Sequence, residues 1–245
     1  MTTIMKQVGL ETKLFLRGKH NLFQTLAFPV IMILIFGAVF SKQTWSGMPA
    51  INYLMPGIIV MALMTACMNN NVIKITNERE KGIYRRLSLT PLSRQAILIG
   101  DVVVRYLIVL ASAALIISLG TGVFNAHFGG NFFLFLSVLT IGTLVFVPLG
   151  FVLTTLVKNT NSAMSLSMAV LFPMMFLGGC FWTIDAMPSF LQPICQALPT
   201  THLNAALRMI LVQNASFSQV WHELPVMLGW LAGSSVLAVK LFKWE

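Results

Sequence analysis

The chain has 245 residues, of which 57% are hydrophobic and 9% charged, and its mean hydropathy is +0.82. That is too little polar surface to cover a soluble globule of this length, so the sequence describes an integral membrane protein. The net charge of +9 does not point to nucleic acid, because the basic residues cluster beside apolar runs, where they set orientation and meet anionic lipid headgroups.

Residues 1–21 read as an amphipathic helix lying in the membrane interface. At about 100° per residue, Ile4, Val8 and Phe15 share one face while Lys6, Lys13 and Arg17 share the other. Glu11 falls in the apolar stripe, so it either pairs with a basic residue of the loop after the second span or lies wet on a tilted helix.

A helix needs about 20 apolar residues to cross the hydrocarbon core, and that ruler finds six spans. They run from Leu22 to Phe40, Tyr53 to Ile73, Val102 to Phe124, Phe132 to Val157, Ser162 to Phe181 and Leu224 to Phe242. The runs are continuous, without the period-two alternation of a barrel, so the predicted fold is all-α and polytopic. The first run follows Lys13, Arg17 and Lys19 like a signal peptide, but no small-x-small site follows it and it is long, so it is expected to be a retained anchor.

Orientation follows from Lys and Arg. The amino-terminal segment, the second loop with Lys74, the fourth loop with Lys158 and the tail with Lys240 and Lys243 carry most of them; the opposite side has only Lys42 and Arg208. Both termini and the second loop are therefore expected in the cytoplasm.

The second loop, within residues 74–101, is the densest signal. Arg79, Lys81, Arg85, Arg86 and Arg94 are five of the chain's 16 Lys and Arg residues. Glu78, Arg79, Glu80 and Lys81 extend the second span into the cytoplasm as a polar helix, and Gly82 offers a break. Thr90-Pro91 interrupts again, since proline disfavours helix in the residue before it, and Leu92 to Ile99 starts a new short helix. A helix, a break and a cytoplasmic helix between two spans form a lever that a partner pushes; simple anchoring of topology would need fewer charges. Asp101 and Arg105, four apart, suit a structural ion pair at the start of the third span.

Inside the spans, buried polar residues face other helices or a watery path. The second span ends in Thr65, Asn69, Asn70 and Asn71; the fifth offers Ser162, Ser165 and Ser167, then Met164, Met168, Met174 and Met175. No charged residue lies at mid-span, which argues against an ion relay. Pro148 and Pro173 are placed to kink the fourth and fifth spans. Gly178-Gly179 permits close backbone approach at the outer end of the fifth, and Phe190, Leu191, Ile194 and Leu198 make a short apolar stripe between Pro188 and Pro199 that caps the exit or dips into the outer leaflet.

Cys67, Cys180 and Cys195 form no CxxC, and a Cys180–Cys195 disulfide stays open as a possibility. His20, His127, His202 and His222 have no metal-ligand spacing. No GxxxxGK[ST] loop is present, so energy from ATP would have to come from another polypeptide.

Two stretches together carry a family resemblance. Glu80, Gly82, Leu87, Thr90, Pro91, Leu92, Ser93, Arg94 and Gly100 resemble one signature, and GGCFWTIDAMPSFLQPICQALPTTHLNAALR, from Gly178 to Arg208, resembles another; with the six spans they resemble the membrane subunits of ABC-2 type exporters. The family often has an acid where Arg85 stands, a base where Asp101 stands and a proline where Thr183 stands, so the island's charges are partly exchanged here.

The resemblance implies a single transmembrane domain over 1–245, with a cytoplasmic coupling helix and an extracellular re-entrant region at 183–222. It implies coupling to an ATPase through Glu78, Arg79, Glu80, Gly82, Arg85, Arg86, Thr90, Pro91 and Arg94. With the second and fifth spans along the central cavity of a dimer, the substrate path is expected at Thr65, Asn69, Met164, Met168 and Met175, and the exit gate at Gly178, Gly179, Asp185 and Pro188. No cofactor is expected on this chain; ATP and magnesium belong to two copies of a separate cytoplasmic ATPase. A second permease subunit, identical or a paralogue, completes the assembly in the cell membrane. The expected activity is ATP-driven export of a hydrophobic or amphipathic molecule such as a drug, lipid or peptide antibiotic; the alternatives are a secondary transporter or channel and, from a third class, an intramembrane enzyme or assembly factor.

Overall fold

The computed structural model describes residues 2–40, 42–45, 47–87, 94–127 and 129–241. Among them, six helices are long and apolar enough to cross a membrane: Phe23–Phe40, Ala50–Glu80, Leu98–Phe124, Phe132–Thr154, Thr160–Leu177 and Phe217–Leu241. An antiparallel pair of two-residue strands, Thr44–Trp45 and Met48–Pro49, joins the first two spans. Asn131 opens the fourth span by accepting from the amides of Phe133 and Leu134, and Asn159 opens the fifth by accepting from that of Ser162. Both are N-caps, satisfying amides that the first helical turn leaves free.

The second span is the axis of the molecule. It is enclosed by other helices on every side, and each residue from Ala50 to Val72 is buried, the amides Asn52, Asn69, Asn70 and Asn71 among them. Gly57 shows how close the packing is, because a Cβ there would lie 2.0 Å from the carbonyl oxygen of Cys180. The other spans are only partly covered and keep large apolar faces open, such as Val39, Phe172, Phe176 and Val239.

Two π-helical turns, Phe23–Ala27 and Thr65–Asn69, widen the first and second spans at one level. Such turns offer carbonyls to side chains outside the helix. The third span supplies both partners, Ser112 donating to Thr25 O at 3.2 Å and Arg105 Nη1 to Ala66 O at 2.7 Å, while Asn70 Nδ2 donates to Thr25 Oγ1 at 2.5 Å.

Three features differ from the sequence expectation or decide between its alternatives. The helix that precedes the third span is not a separate element: from Arg94 it runs unbroken to Phe124, since no proline follows Pro91 there and Gly100 packs against Gln7 of the N-terminal helix. The region between the fifth and sixth spans is more than a short re-entrant stripe. After a helix at Gln192–Ala197, the helix Pro199–Gln213 turns Leu203, Ala206, Leu207, Ile210 and Leu211 into the main core, leaving Phe190 and Ile194 exposed. The three cysteines are free and buried.

Candidate coupling ledge and transmembrane cleft

The second span reaches Glu80, Gly82 turns the chain with a φ of +64°, and a short helix, Ile83–Leu87, follows. Positive φ carries no Cβ penalty in glycine, which is why the break falls there. Glu78 accepts from Tyr84 Oη at 2.8 Å and so ties the short helix back to the span. Burial, then the Glu78 carboxylate, push the Tyr84 phenol well above its ordinary pKa, and it remains a donor.

Arg79, half-buried, and Glu80, exposed, both bond to the chain's own turn between the fourth and fifth spans. Arg79 Nη2 donates to the carbonyls of Thr154, at 2.9 Å, which ends the fourth span, and of Val157, three residues further on. Glu80 Oε2 accepts from Thr160 N at 3.1 Å and Thr160 Oγ1 at 2.7 Å, at the first turn of the fifth. A cation on helix C-terminal carbonyls and an anion on a helix N-terminus are the favourable pairings for both ends. The ledge thus grips the turn between the fourth and fifth spans from both sides. Arg85 and Arg86 stay exposed, with Arg86 Nη2 donating to Lys81 O at 3.1 Å. Thr90 and Pro91 lie outside the described residues; Arg94 begins the third-span helix, and its side chain lies outside them too.

Beside the ledge, the Glu11 alternative resolves to a pair. Lys74 Nζ reaches Glu11 Oε2 at 2.5 Å and Asp101 Oδ1 at 2.8 Å, and Arg105 Nε meets Asp101 Oδ2 at 2.7 Å. Buried charges persist only when paired in this way. The chain of pairs fastens the N-terminal helix to the second and third spans.

Between the first and fifth spans, floored by the second, lies an open cleft of about 320 Å³. Its walls are wholly apolar: Phe28, Met32, Phe36 and Phe40 on one side, Phe172, Met175 and Phe176 on the other, and Trp182 at one end. Met175 is the predicted path residue found there. Thr65 and Asn69 are instead enclosed within the bundle, Thr65 bonding to Met61 O, and Asn69 accepting from Ser167 Oγ at 2.6 Å. Met164 is exposed and Met168 half-buried, and neither lines the cleft. The aromatic walls were missed, although Phe36 with Phe40 and Phe172 with Phe176, each four apart, are the spacing that puts two rings on one helix face.

At the end of the fifth span away from the ledge, Gly179 has a φ of +68°. Asn204 Nδ2 and Arg208 Nη2 donate to its carbonyl at 2.6 and 3.1 Å, and Arg208 lies over the ring of Tyr53 with Cζ 3.7 Å from the centroid. Gly178 is pressed against Thr200. Asp185 sits in the turn Ile184–Ala186 with its side chain outside the described residues, and Pro188 is exposed. Asn204 and Arg208 are therefore the residues that hold the turn; their polar side chains in an apolar helix were the available signal.

A family model described as "ABC-2 type transporter" matches residues 8–212. The chain belongs to the ABC-2 type transporter family. Among curated relatives, the probable multidrug ABC transporter permease YbhR of Escherichia coli K12 is 24% identical over 78% of this chain and 52% of its own length. The daunorubicin resistance permease protein DrrB1 of Streptomyces coeruleorubidus is 26% identical over 89% of this chain and 76% of its own, and the putative transport permease YvfS of Bacillus subtilis 28% identical over 84% of each. The chain spans about half the length of YbhR and 26% of ABC transporter G family member 20 of Dictyostelium discoideum. Six apolar helices and the family together make it a multi-pass membrane protein.

Proposed function

We propose that this ABC-2 type chain is the transmembrane permease subunit of an ATP-driven exporter. It carries a hydrophobic or amphipathic molecule, such as a drug, lipid or peptide antibiotic, out of the cytoplasm or inner leaflet. ATP and magnesium bind to a separate ATPase, two copies of which dock beneath a pair of permease subunits, the second identical or a paralogue. Both termini and the ledge face the cytoplasm, in keeping with the distribution of Lys and Arg.

The observation that carries this reading is the double grip of Arg79 and Glu80 on the turn between the fourth and fifth spans. The second span is one helix from Ala50 to Glu80 apart from its π turn, and a packed rod transmits displacement rather than absorbing it. A push on Arg85, Arg86 and the short helix moves the gripped turn, hence the fifth span, one wall of the aromatic cleft. Gly178-Gly179, held by Asn204 and Arg208, forms the outer end of that same span and serves as its exit gate. The adaptable apolar cleft supports an amphipathic cargo, as do the words multidrug and daunorubicin in the relatives' names.

The test is co-reconstitution with a phosphate-loop ATPase partner, in inside-out vesicles, with a fluorescent amphiphile as cargo. Accumulation that needs both ATP and the ATPase is the expected result. Equal accumulation with the ATPase omitted would instead establish a secondary transporter or channel.

A further inference from the structure

Acids and bases are sorted around the ledge. Glu78 accepts from Tyr84 and faces Lys74, which also pairs with Glu11 and Asp101. Glu80 is exposed but engaged by the amide and hydroxyl of Thr160. The cations around them are left at the surface: Lys81, Arg85 and Arg86 are exposed, and so is Lys158 in the turn between the fourth and fifth spans. Residues 88–97, which continue the loop, contain no Asp or Glu.

Hydrogen bonds draw these cations into one patch. Arg86 donates to Lys81 O, Lys81 follows Glu80, and Glu80 holds Thr160, two residues beyond Lys158. Val157, on the other side of Lys158, accepts from Arg79. Lys158 is therefore flanked by residues that the ledge grips, and the ledge and the turn form one surface. Among the described residues, neither Lys81 nor Lys158 has a carboxylate within ion-pair distance. Like charges gathered at a surface repel one another, and an anionic partner relieves that repulsion.

Lipid headgroups and a protein could each supply the anions, and length favours the protein. The fully buried run of the second span ends at Val72. From Lys74 to Glu80 the helix rises about 9 Å further, more than the roughly 5–7 Å of one headgroup layer. We propose that the turn bearing Lys158 is a second docking point for the ATPase, and that the ATPase surface receiving the turn and the ledge is acidic, its carboxylates pairing with Lys81, Arg86 and Lys158. Resting on the exporter function proposed above, this adds a contact residue and fixes the charge of the partner. An ATPase with a basic docking surface is rejected by the same cations. A partner seated on Lys158 also moves the fifth span directly, as well as through the ledge.

The test takes the ATPase that supports ATP-dependent accumulation in co-reconstitution. Its binding to the full chain is measured in phosphatidylcholine nanodiscs, without nucleotide, at rising KCl. Carbodiimide, which joins an amine to a carboxylate only in direct contact, then maps Lys81 and Lys158 by mass spectrometry. Affinity should fall steeply with salt, and Lys158 should be joined to an Asp or Glu of the ATPase. Lys158→Glu should weaken binding about tenfold, whereas Lys158→Arg should bind as the unmodified protein does and lose only the cross-link. The salt series and the cross-link use the unmodified protein, so a variant that fails to fold leaves the test intact. Binding that ignores salt, or Lys158 joined to no ATPase carboxylate, overturns the acidic docking surface and leaves the exporter function standing. A salt effect that appears only when phosphatidylglycerol is added to the nanodiscs overturns the protein partner in favour of headgroups. Transport without any ATPase overturns the exporter function and this docking surface with it.

Discussion

Single side chains in this protein are committed to partners far away in sequence, and their loss should be read in those partners. Asp101 accepts from Arg105 and Lys74 while almost fully buried, so Asp101→Asn strands a buried guanidinium. The expected cost is about 3 kcal/mol, seen as a lowered unfolding midpoint in detergent; a midpoint equal to that of the unmodified protein would remove the ion pair from the account. The i,i+4 relation of Asp101 and Arg105 was legible in the sequence because helical spacing alone determines it. The partner of Glu11 was not, because Lys74 is 63 residues away and only the packing of the N-terminal helix on the third span selects it from the basic residues nearby. Arg79 and Glu80 stand out in the sequence by charge and position, yet charge cannot say whether a side chain points to a partner protein or to a turn of its own chain.

At the scale of elements, length and hydropathy foresaw all six spans, since the bilayer imposes both and demands helices. Segments outside the bilayer obey no such ruler, which is why the unbroken helix from Arg94 and the buried helix Pro199–Gln213 were not foreseen. The elements between the fifth and sixth spans are joined by His202, whose Nδ1 faces Glu223 Oε2 at 2.6 Å and Nε2 faces Gln196 O at 2.7 Å. With both ring nitrogens aimed at acceptors, the imidazolium is the form that satisfies the site. The Glu223 hydrogen bond raises the His202 pKa above its ordinary value. A raised folded pKa stabilises fully below the unfolded value, about 6.5, and that contribution fades as pH rises through the folded one. The unfolding midpoint of the unmodified protein should therefore exceed that of His202→Gln by about 2 °C at pH 6, with the gap closing at alkaline pH. A gap that widens with pH would contradict the clamp.

Across the whole molecule, a buried central helix connects a charged ledge at one end with an aromatic cleft along its side and a glycine turn at the other. A cleft with apolar walls and no cover in a single chain suits the proposed pairing with a second subunit, which would enclose it; sequence could not show it, because its walls come from helices more than a hundred residues apart. The central claim is that the grip of Arg79 and Glu80 carries work from the ATPase to the fifth span. It is tested most directly by counting cargo molecules moved per ATP hydrolysed in reconstituted vesicles, for the unmodified protein and for Glu80→Ala and Gly82→Pro. The account predicts that the ratio falls about tenfold in each, as the loss of a charge-assisted contact implies, while both variants remain in the membrane and hydrolysis continues. An unchanged ratio in both would contradict it.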